Sequence, residues 1–535
     1  MNAITGFTRR FSSLLLAVGL TFGQFALAQD KQAEERIGSV DFPVSCNDSA
    51  KEDFNHALGL MHHMMYEQAR ARFKKISEVA PGCAMAYWGV ATTLFQPLWD
   101  TRPSEQDLQM GRRHIERARN LKPATGPERL LLDATAGFFE KGKLDLQRRY
   151  RSWIEGMEIA YQAHPDNHDI AALYALSRLT LAKTAEDRDP LHDEAESILR
   201  AIWEQEPRHP GAIHYSIHAT DVNNRAANAL DMVKAYRDIA PQVPHAMHMP
   251  SHIYVRLGQW PEVIEWNRRS ADAAKTDLVN GAVSHHYVHA LDYLLYAYLQ
   301  QGRDAEARAV LEEATAVDKH QATFISTYHL AAMPARLAVE RRTWAEAAAL
   351  EPRTPDYLPW DQSRWAEALT WYAKGLGAVH TDKRNMAREA EQRMASLQTQ
   401  AETEGDSNFA TYIEIDRNIL TGWIAHAEGQ PEAAVQSVRA AVELDQTVEK
   451  HPVTPGALML PNEALGALLL ELDRPSEALK AFQAADAAWP GRYNTLLGAA
   501  HAAEQAGEPA LARQFSTRLQ EMTGDSDRTS QTEEQ

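Results

Sequence analysis

The sequence predicts an all-α solenoid of about nine to eleven helical pairs, and three observations carry that reading. Nearly every segment after Ser49 places its apolar residues at helical spacing. Ala, Leu, Glu, Gln and Arg dominate over Val, Ile and Thr, so strands are not expected. The helical segments are short, about 12 to 18 residues, and Gly or Pro punctuates them at intervals near a third of a hundred, the signature of a repeat.

Residues 1–28 come first and read as a secretory signal. Arg9 and Arg10 precede an apolar stretch from Phe11 to about Phe25, and Ala26-Leu27-Ala28 supplies a small-x-small cleavage site. The run Thr8-Arg9-Arg10-Phe11 also faintly resembles a twin-arginine signal, so two export routes stay open. Residues 29–49 follow as a polar, mobile N-terminal arm. Repeats then fill 50–320, the N-terminal solenoid with a histidine-rich groove, and 321–523, the C-terminal solenoid. Residues 524–535 read as a disordered polar tail. No other stretch reaches the roughly 18 apolar residues of a membrane span, so after cleavage the protein is expected to be periplasmic or secreted, with no membrane span.

Only two cysteines occur, Cys46 and Cys83. An even pair in an exported chain suggests one disulfide that ties the arm to the first helical pair. It would contribute about 3 to 4 kcal/mol in the chain-entropy model, and two unpaired thiols are the alternative. The chain carries 73 Asp and Glu against 55 Lys and Arg, a net charge of -18. Nucleic acid needs a basic footprint and is not expected as a partner.

The repeat unit is clearest in the run Asn462 to Pro490. Gly466, Ala478, Phe482, Ala485 and Pro490 stand there at positions 8, 20, 24, 27 and 32 of a roughly 34-residue helix-turn-helix. This resembles the tetratricopeptide repeat, and the resemblance implies a right-handed α-solenoid. Small residues at 8 and 20 let the two helices A and B of one repeat pack closely, the large residue at 24 fills the gap to the next repeat, and proline ends helix B. The same frame fits Gly422, Ala434, Val438 and Ala441, then Leu295, Ala307, Leu311 and Ala314, and also Ala57, Ala69, Phe73, Ile76 and Pro81. It places Ala195, Ala229, Val263, Ala347 and Ala512 at position 20. The steps from Val263 to Ala307 and from Ala434 to Ala478 are 44 residues, so extra loops or longer helices are expected there.

The mature chain also resembles a family of secreted bacterial tetratricopeptide-repeat proteins of uncharacterised function. The resemblance rests on Cys83-Ala-Met-Ala-Tyr-Trp-Gly89, His209-Pro-Gly-Ala-Ile-His214, His245-Ala-Met-His-Met-Pro-Ser-His-Ile-Tyr254 and His451-Pro-Val-Thr-Pro-Gly456. It supports the fold and implies no activity.

Histidine is the most informative residue. Nine of the 22 fall between His209 and His289, in helical spacings: His214 and His218 at i, i+4; His245, His248 and His252 at i, i+3, i+7; His285 and His289 at i, i+4. In the repeat frame His214 and His248 share position 5, while His218 and His252 share position 9. The next repeat holds Asp292 and Tyr296 in those columns, with His289 at position 2 beneath His245 and His329 at position 2 one repeat further. The tetratricopeptide resemblance implies that positions 2, 5 and 9 line the concave groove.

Paired histidines on neighbouring helices can surround one divalent cation. The proposed ligands are His214, His218, His248 and His252, with Asp221, His245, His289 and Asp292 as extra ligands or outer acceptors. Imidazole-rich sites suit a transition metal ion, whether zinc, copper, iron or nickel. Two other readings stay open: a polar groove whose histidines bond to Tyr254, Tyr287, Tyr296 or a bound peptide, and inert helix packing. The H-E-x-x-H pattern is absent, and no P-loop, G-x-G-x-x-G or G-x-S-x-G occurs.

Other residues are read as structural. His62-His63-Met64-Met65 offers soft ligands but falls in the first helix A. Trp88, Trp99, Trp260, Trp266 and Trp371 are read chiefly as core, and Ser251 as packing at a small-residue position. Arg256 and Arg336 lie near enough in sequence to neutralise an anion at the histidines. The resulting expectation is an exported solenoid that binds a peptide, protein or small molecule in a metal-holding groove. A metal-dependent hydrolase or oxidoreductase and a metal-free interaction scaffold are the alternatives.

Overall fold

The computed structural model describes residues 36–528 apart from 100, 101, 143, 144, 223 and 525. The signal segment 1–28, the start of the arm and the end of the tail therefore lie outside the described residues. The chain is an α-solenoid, and among the described residues twelve antiparallel helical hairpins, one more than the upper expectation, run from Asp48–His62 with Tyr66–Val79 to Tyr493–Gln505 with Pro509–Met522. The repeat frame located nine of them. The other three, built on Ala84–Thr92, Gly126–Phe138 and Arg364–His380, have loops and helix lengths that break the 34-residue register.

The packing follows the small-residue rule. Phe482 sits between Gly466 of its own hairpin and Gly498 of the next, where an added Cβ would stand 2.7 and 2.3 Å from the ring. Phe73 likewise lies 2.4 Å from a Cβ built on Gly89. Each large residue thus fills a notch that only glycine leaves open. One short antiparallel ribbon departs from the all-helical expectation: Leu278–Val279 pairs with Ala282–Val283. Asn280 and Gly281, both at positive φ, supply its two-residue turn.

The superhelix closes on itself. The Trp260 indole donates to the Gly491 carbonyl at 2.7 Å, and Arg492 is buried against Glu340 at 2.8 Å and Glu463 at 3.1 Å. From the other end, Gln68 donates to Asp277 and Gln321 to Glu67, each at 2.8 Å. Consequently the helices Pro210–Thr220, His285–Gln300 and Phe324–Glu340, which line the concave side, are buried almost all round. Pro334 lies inside the last of these.

The arm is anchored where it is described, in contrast to the mobile polar segment expected from composition. Phe42 is fully buried, Ile37 packs where Gly59 leaves room, and the Ser45 hydroxyl donates to Glu128. The tail docks in part as well. The backbone N–H groups of Asp527 and Arg528 donate to the Gly302 carbonyl, and Arg528 pairs with Asp304. Cys46 and Cys83 form a disulfide across 37 residues of chain. Reduction is expected to lower unfolding free energy by about 3 to 4 kcal/mol. Denaturant titrations with and without reductant read this directly, and coincident curves would refute it.

Candidate metal centre

Each histidine is set by its helix. His209 caps Pro210–Thr220, its Nδ1 accepting from the Ala212 N–H at 3.1 Å, and Pro210 occupies the first turn, so His214 and His218 share one inward face. Pro244–His248 and Pro250–Arg256 present His245, His248 and His252, while Ser284 caps the helix that carries His289. All of these imidazoles are buried. Burial, reinforced by neighbouring imidazoles, pushes His214, His245, His248 and His289 well below the ordinary histidine range, and His218 to about 3. Uncharged imidazoles of this kind can serve as metal ligands.

Partners that can only accept determine the tautomers of one trio, His248, His252 and His289. The Asn267 amide donates to the Val263 carbonyl at 2.7 Å, which turns Oδ1 to His248 Nδ1 at 2.7 Å. His252 Nδ1 donates to Asp221 Oδ2 at 2.8 Å. His329 Nδ1 donates to Asp292 at 2.9 Å, so its Nε2 accepts from His289 Nδ1 at 2.6 Å. All three rings are left with a lone pair on Nε2. The Nε2 atoms of His248 and His252 stand 2.9 Å apart. Two facing lone pairs at that distance repel unless a cation lies between them.

A second trio, His214, His218 and His245, adjoins the first. In both trios one ligand atom from each residue lies within 4.8 Å of the others, a spacing that can hold a metal ion. Nε2 of His214, Nε2 of His218 and both nitrogens of His245 are buried without a hydrogen-bond partner.

Charged outer groups hold the rings. Asp221 accepts from Arg256 at 2.9 Å and from Lys450 at 2.8 Å besides His252. Burial would raise its pKa, but Lys450, Arg256 and the His252 bond outweigh burial and hold it far below the carboxylate range. Asp292 is clamped by Arg336 at 3.1 Å as well as by His329, and is also lowered against the effect of burial. The two arginines thus neutralise the protein's own carboxylates instead of an anionic ligand.

The segment 446–460 roofs the histidines. Tyr293 donates to the Thr454 carbonyl at 2.9 Å, Arg336 to the Gly456 carbonyl at 3.1 Å, and Lys450 reaches Asp221. Above the imidazoles the expected open groove is therefore filled by the chain itself. Beneath the roof lies a cavity of about 20 Å³ bounded by Trp99, His218, His245, His252, His289, Phe324 and His451 among others. A larger pocket of about 100 Å³ shares Leu98, His218, His451 and Pro452 with it and adds Lys183, Arg188 and His192.

The sequence grouping of four ligands is redrawn by this geometry. His214 meets His245, with ring centroids 5.0 Å apart, and His248 meets His289 at 4.1 Å. Position 5 of one repeat faces position 2 of the next, an offset of three residues along the inner helix. His218 and His252, in the shared column, are 6.1 Å apart. Asp221 and Asp292 hold rings in place, as outer acceptors do. Tyr296 faces Arg492 and Trp260, and Tyr254 packs in a hydrophobic cluster with Trp266, so neither serves the imidazoles. Tyr287 donates to Glu313. The tyrosine at the site is Tyr293, 4.5 Å from the His248 ring, which sequence spacing missed because it lies one residue off the frame's column.

A third group, His62, Asp169 and His209, is built in the opposite sense. His209 Nδ1 is occupied as an acceptor, which leaves the proton on Nε2, 3.4 Å from Asp169 and without a hydrogen bond, while His62 Nε2 lies 2.9 Å from the same oxygen. N–H groups converge here, where lone pairs converge in the two trios. Met64 accepts from the Trp99 indole at 3.1 Å, and Ser251 donates to the His248 carbonyl, as packing residues do.

Among the described residues no helix is long and apolar enough to cross a membrane. No family model and no curated protein matches the chain. Among solved structures it is similar to the APC/C hetero-tetramer Cut9-Hcn1, at 13% identity and a TM-score of 0.33, covering 90% of this chain and 88% of that one. It is also similar to the human IFIT1 dimer with PPP-AAAA, at 12% identity and a TM-score of 0.39, covering 90% of this chain and 92% of that one. At these scores neither likeness bears on what the chain binds.

Proposed function

We propose that this protein holds a transition-metal ion on Nε2 of His248, His252 and His289 and presents it to a water-sized ligand in the cavity beneath the roof. The observation that carries this reading is the pair of Nε2 lone pairs facing each other at 2.9 Å, with Asn267 and Asp221 occupying the opposite nitrogens. Zinc, copper, iron and nickel all suit three imidazoles. With three protein ligands one coordination position remains for water or substrate, the arrangement of a catalytic centre. The roof over the histidines favours a small ligand over a peptide. The disulfide and the segment 1–28 support a location in the periplasm or outside the cell.

Elemental analysis of full-length protein made without a histidine tag is expected to find at least about one ion per chain. The double change His248→Ala and His252→Ala should remove one equivalent while the far-ultraviolet spectrum stays helical. Less than roughly a tenth of an equivalent with no uptake on titration, or a content unchanged by the double substitution, would overturn the reading.

A further inference from the structure

We propose that His214, His218 and His245 hold a second ion, so that the core is a two-ion centre with a water-derived bridging ligand in the cavity between the ions. This rests on the first ion proposed above and adds a site of its own. The second trio is prepared for a ligand by residues packed behind it. His63 Nε2 donates to the Ile37 carbonyl at 3.0 Å, which leaves its Nδ1 to accept the Tyr236 hydroxyl at 2.7 Å. With its proton turned to His63, the Tyr236 oxygen accepts from His214 Nδ1 at 3.3 Å. That relay leaves the lone pair of His214 on Nε2, the buried atom that has no partner. His218 adds a second unpartnered Nε2, and His245 two unpartnered nitrogens.

The geometry couples the two trios. His218 and His245 come from one, His252 and His289 from the other, and these four line the same cavity of about 20 Å³. Ring centroids across the divide are 6.0 Å for His245 and His248, 6.1 Å for His218 and His252, and 6.3 Å for His245 and His289. With metal–nitrogen bonds of about 2 Å and two-ion separations of roughly 3.5–4 Å, one small ligand can touch both ions. A cavity of this volume holds about one water. In the group of His62, Asp169 and His209, by contrast, both Nε2 atoms face a carboxylate, so clustering alone does not produce converging lone pairs in this fold.

The test is zinc(II) titration of the chelator-stripped full chain, read by native mass spectrometry. Two ions are expected in the wild type, one in His245→Ala and one in the double variant His248→Ala and His252→Ala. Tyr236→Phe keeps the ring and breaks the relay. It should weaken only the second ion, by about 10- to 100-fold, and it serves should His245→Ala fail to fold. A wild type that binds one ion, lost in the double variant and unaffected by His245→Ala or Tyr236→Phe, overturns the two-ion centre and leaves the single-ion reading standing. No bound ion at all removes both.

Discussion

Asp221→Asn is expected to destabilise the protein by about 3 to 5 kcal/mol, the cost of leaving buried charge uncompensated. Asp221 ends the helix Pro210–Thr220, and its carboxylate holds three side chains from two other elements: His252 at 2.8 Å, Arg256 at 2.9 Å and Lys450 at 2.8 Å. The side chains of Arg256 and Lys450 are only 4% and 5% exposed, so water cannot replace the lost charge. Lys450 lies in the roof, and burial already lowers its pKa against the pull of Asp221, so loss of that carboxylate's charge should lower it further and let the segment 446–460 loosen. The same substitution frees the tautomer of His252 and should weaken metal binding by about 10- to 100-fold. Guanidinium unfolding of the metal-free wild type and variant measures the first effect, and zinc competition titration the second. Adding Lys450→Met should recover part of the stability and none of the affinity. A loss under about 1 kcal/mol in the single variant would show that the carboxylate does not hold the roof.

Acid is expected to unfold the metal-free protein steeply. Burial depresses His63, His218 and His285 to about 3, and His214, His245, His248, His286 and His289 are also held well below the ordinary value of 6.5. Between about 6.5 and 3 the unfolded chain takes up protons that the folded chain refuses, so these histidines make stability rise with pH through that window and add no slope above it. Each such histidine contributes on the order of 1 kcal/mol per pH unit. Two buried carboxylates act with the opposite sign. Burial raises Asp416 to about 8 and Asp445 to about 6, with nearby acidic groups adding to it, so the folded state keeps their protons as pH rises. Two opposing groups do not offset eight. Unfolding free energy measured from pH 8 to 4 should therefore fall sharply below about 6.5, and a flat profile would mean that the imidazoles admit protons while folded.

The helical hairpins could be read from the chain because tight helix packing needs small residues at recurring positions, and Gly466 and Ala478 show that need locally. The hairpin on Ala84–Thr92 escaped because its long connection to Glu105–Asn120 breaks the period. The site was legible in part. Spacings of four residues put His214 with His218 and His248 with His252, since such pairs share a face of any α-helix. Tyr293, Asn267 and His63 carried no such signal, because their roles come from helices far along the chain.

The amino-acid order alone established the repeat, the paired cysteines and a surplus of imidazoles on inward faces, all of which depend on contacts between residues close in sequence. Which imidazoles meet was decided by the packing of successive helices, which pairs His214 with His245 and His248 with His289. Closure of the superhelix brought residues 446–460 over the groove, more than two hundred positions from His218. Pairings across such distances depend on the accumulated angles of every intervening turn, and no local pattern of residues encodes that sum.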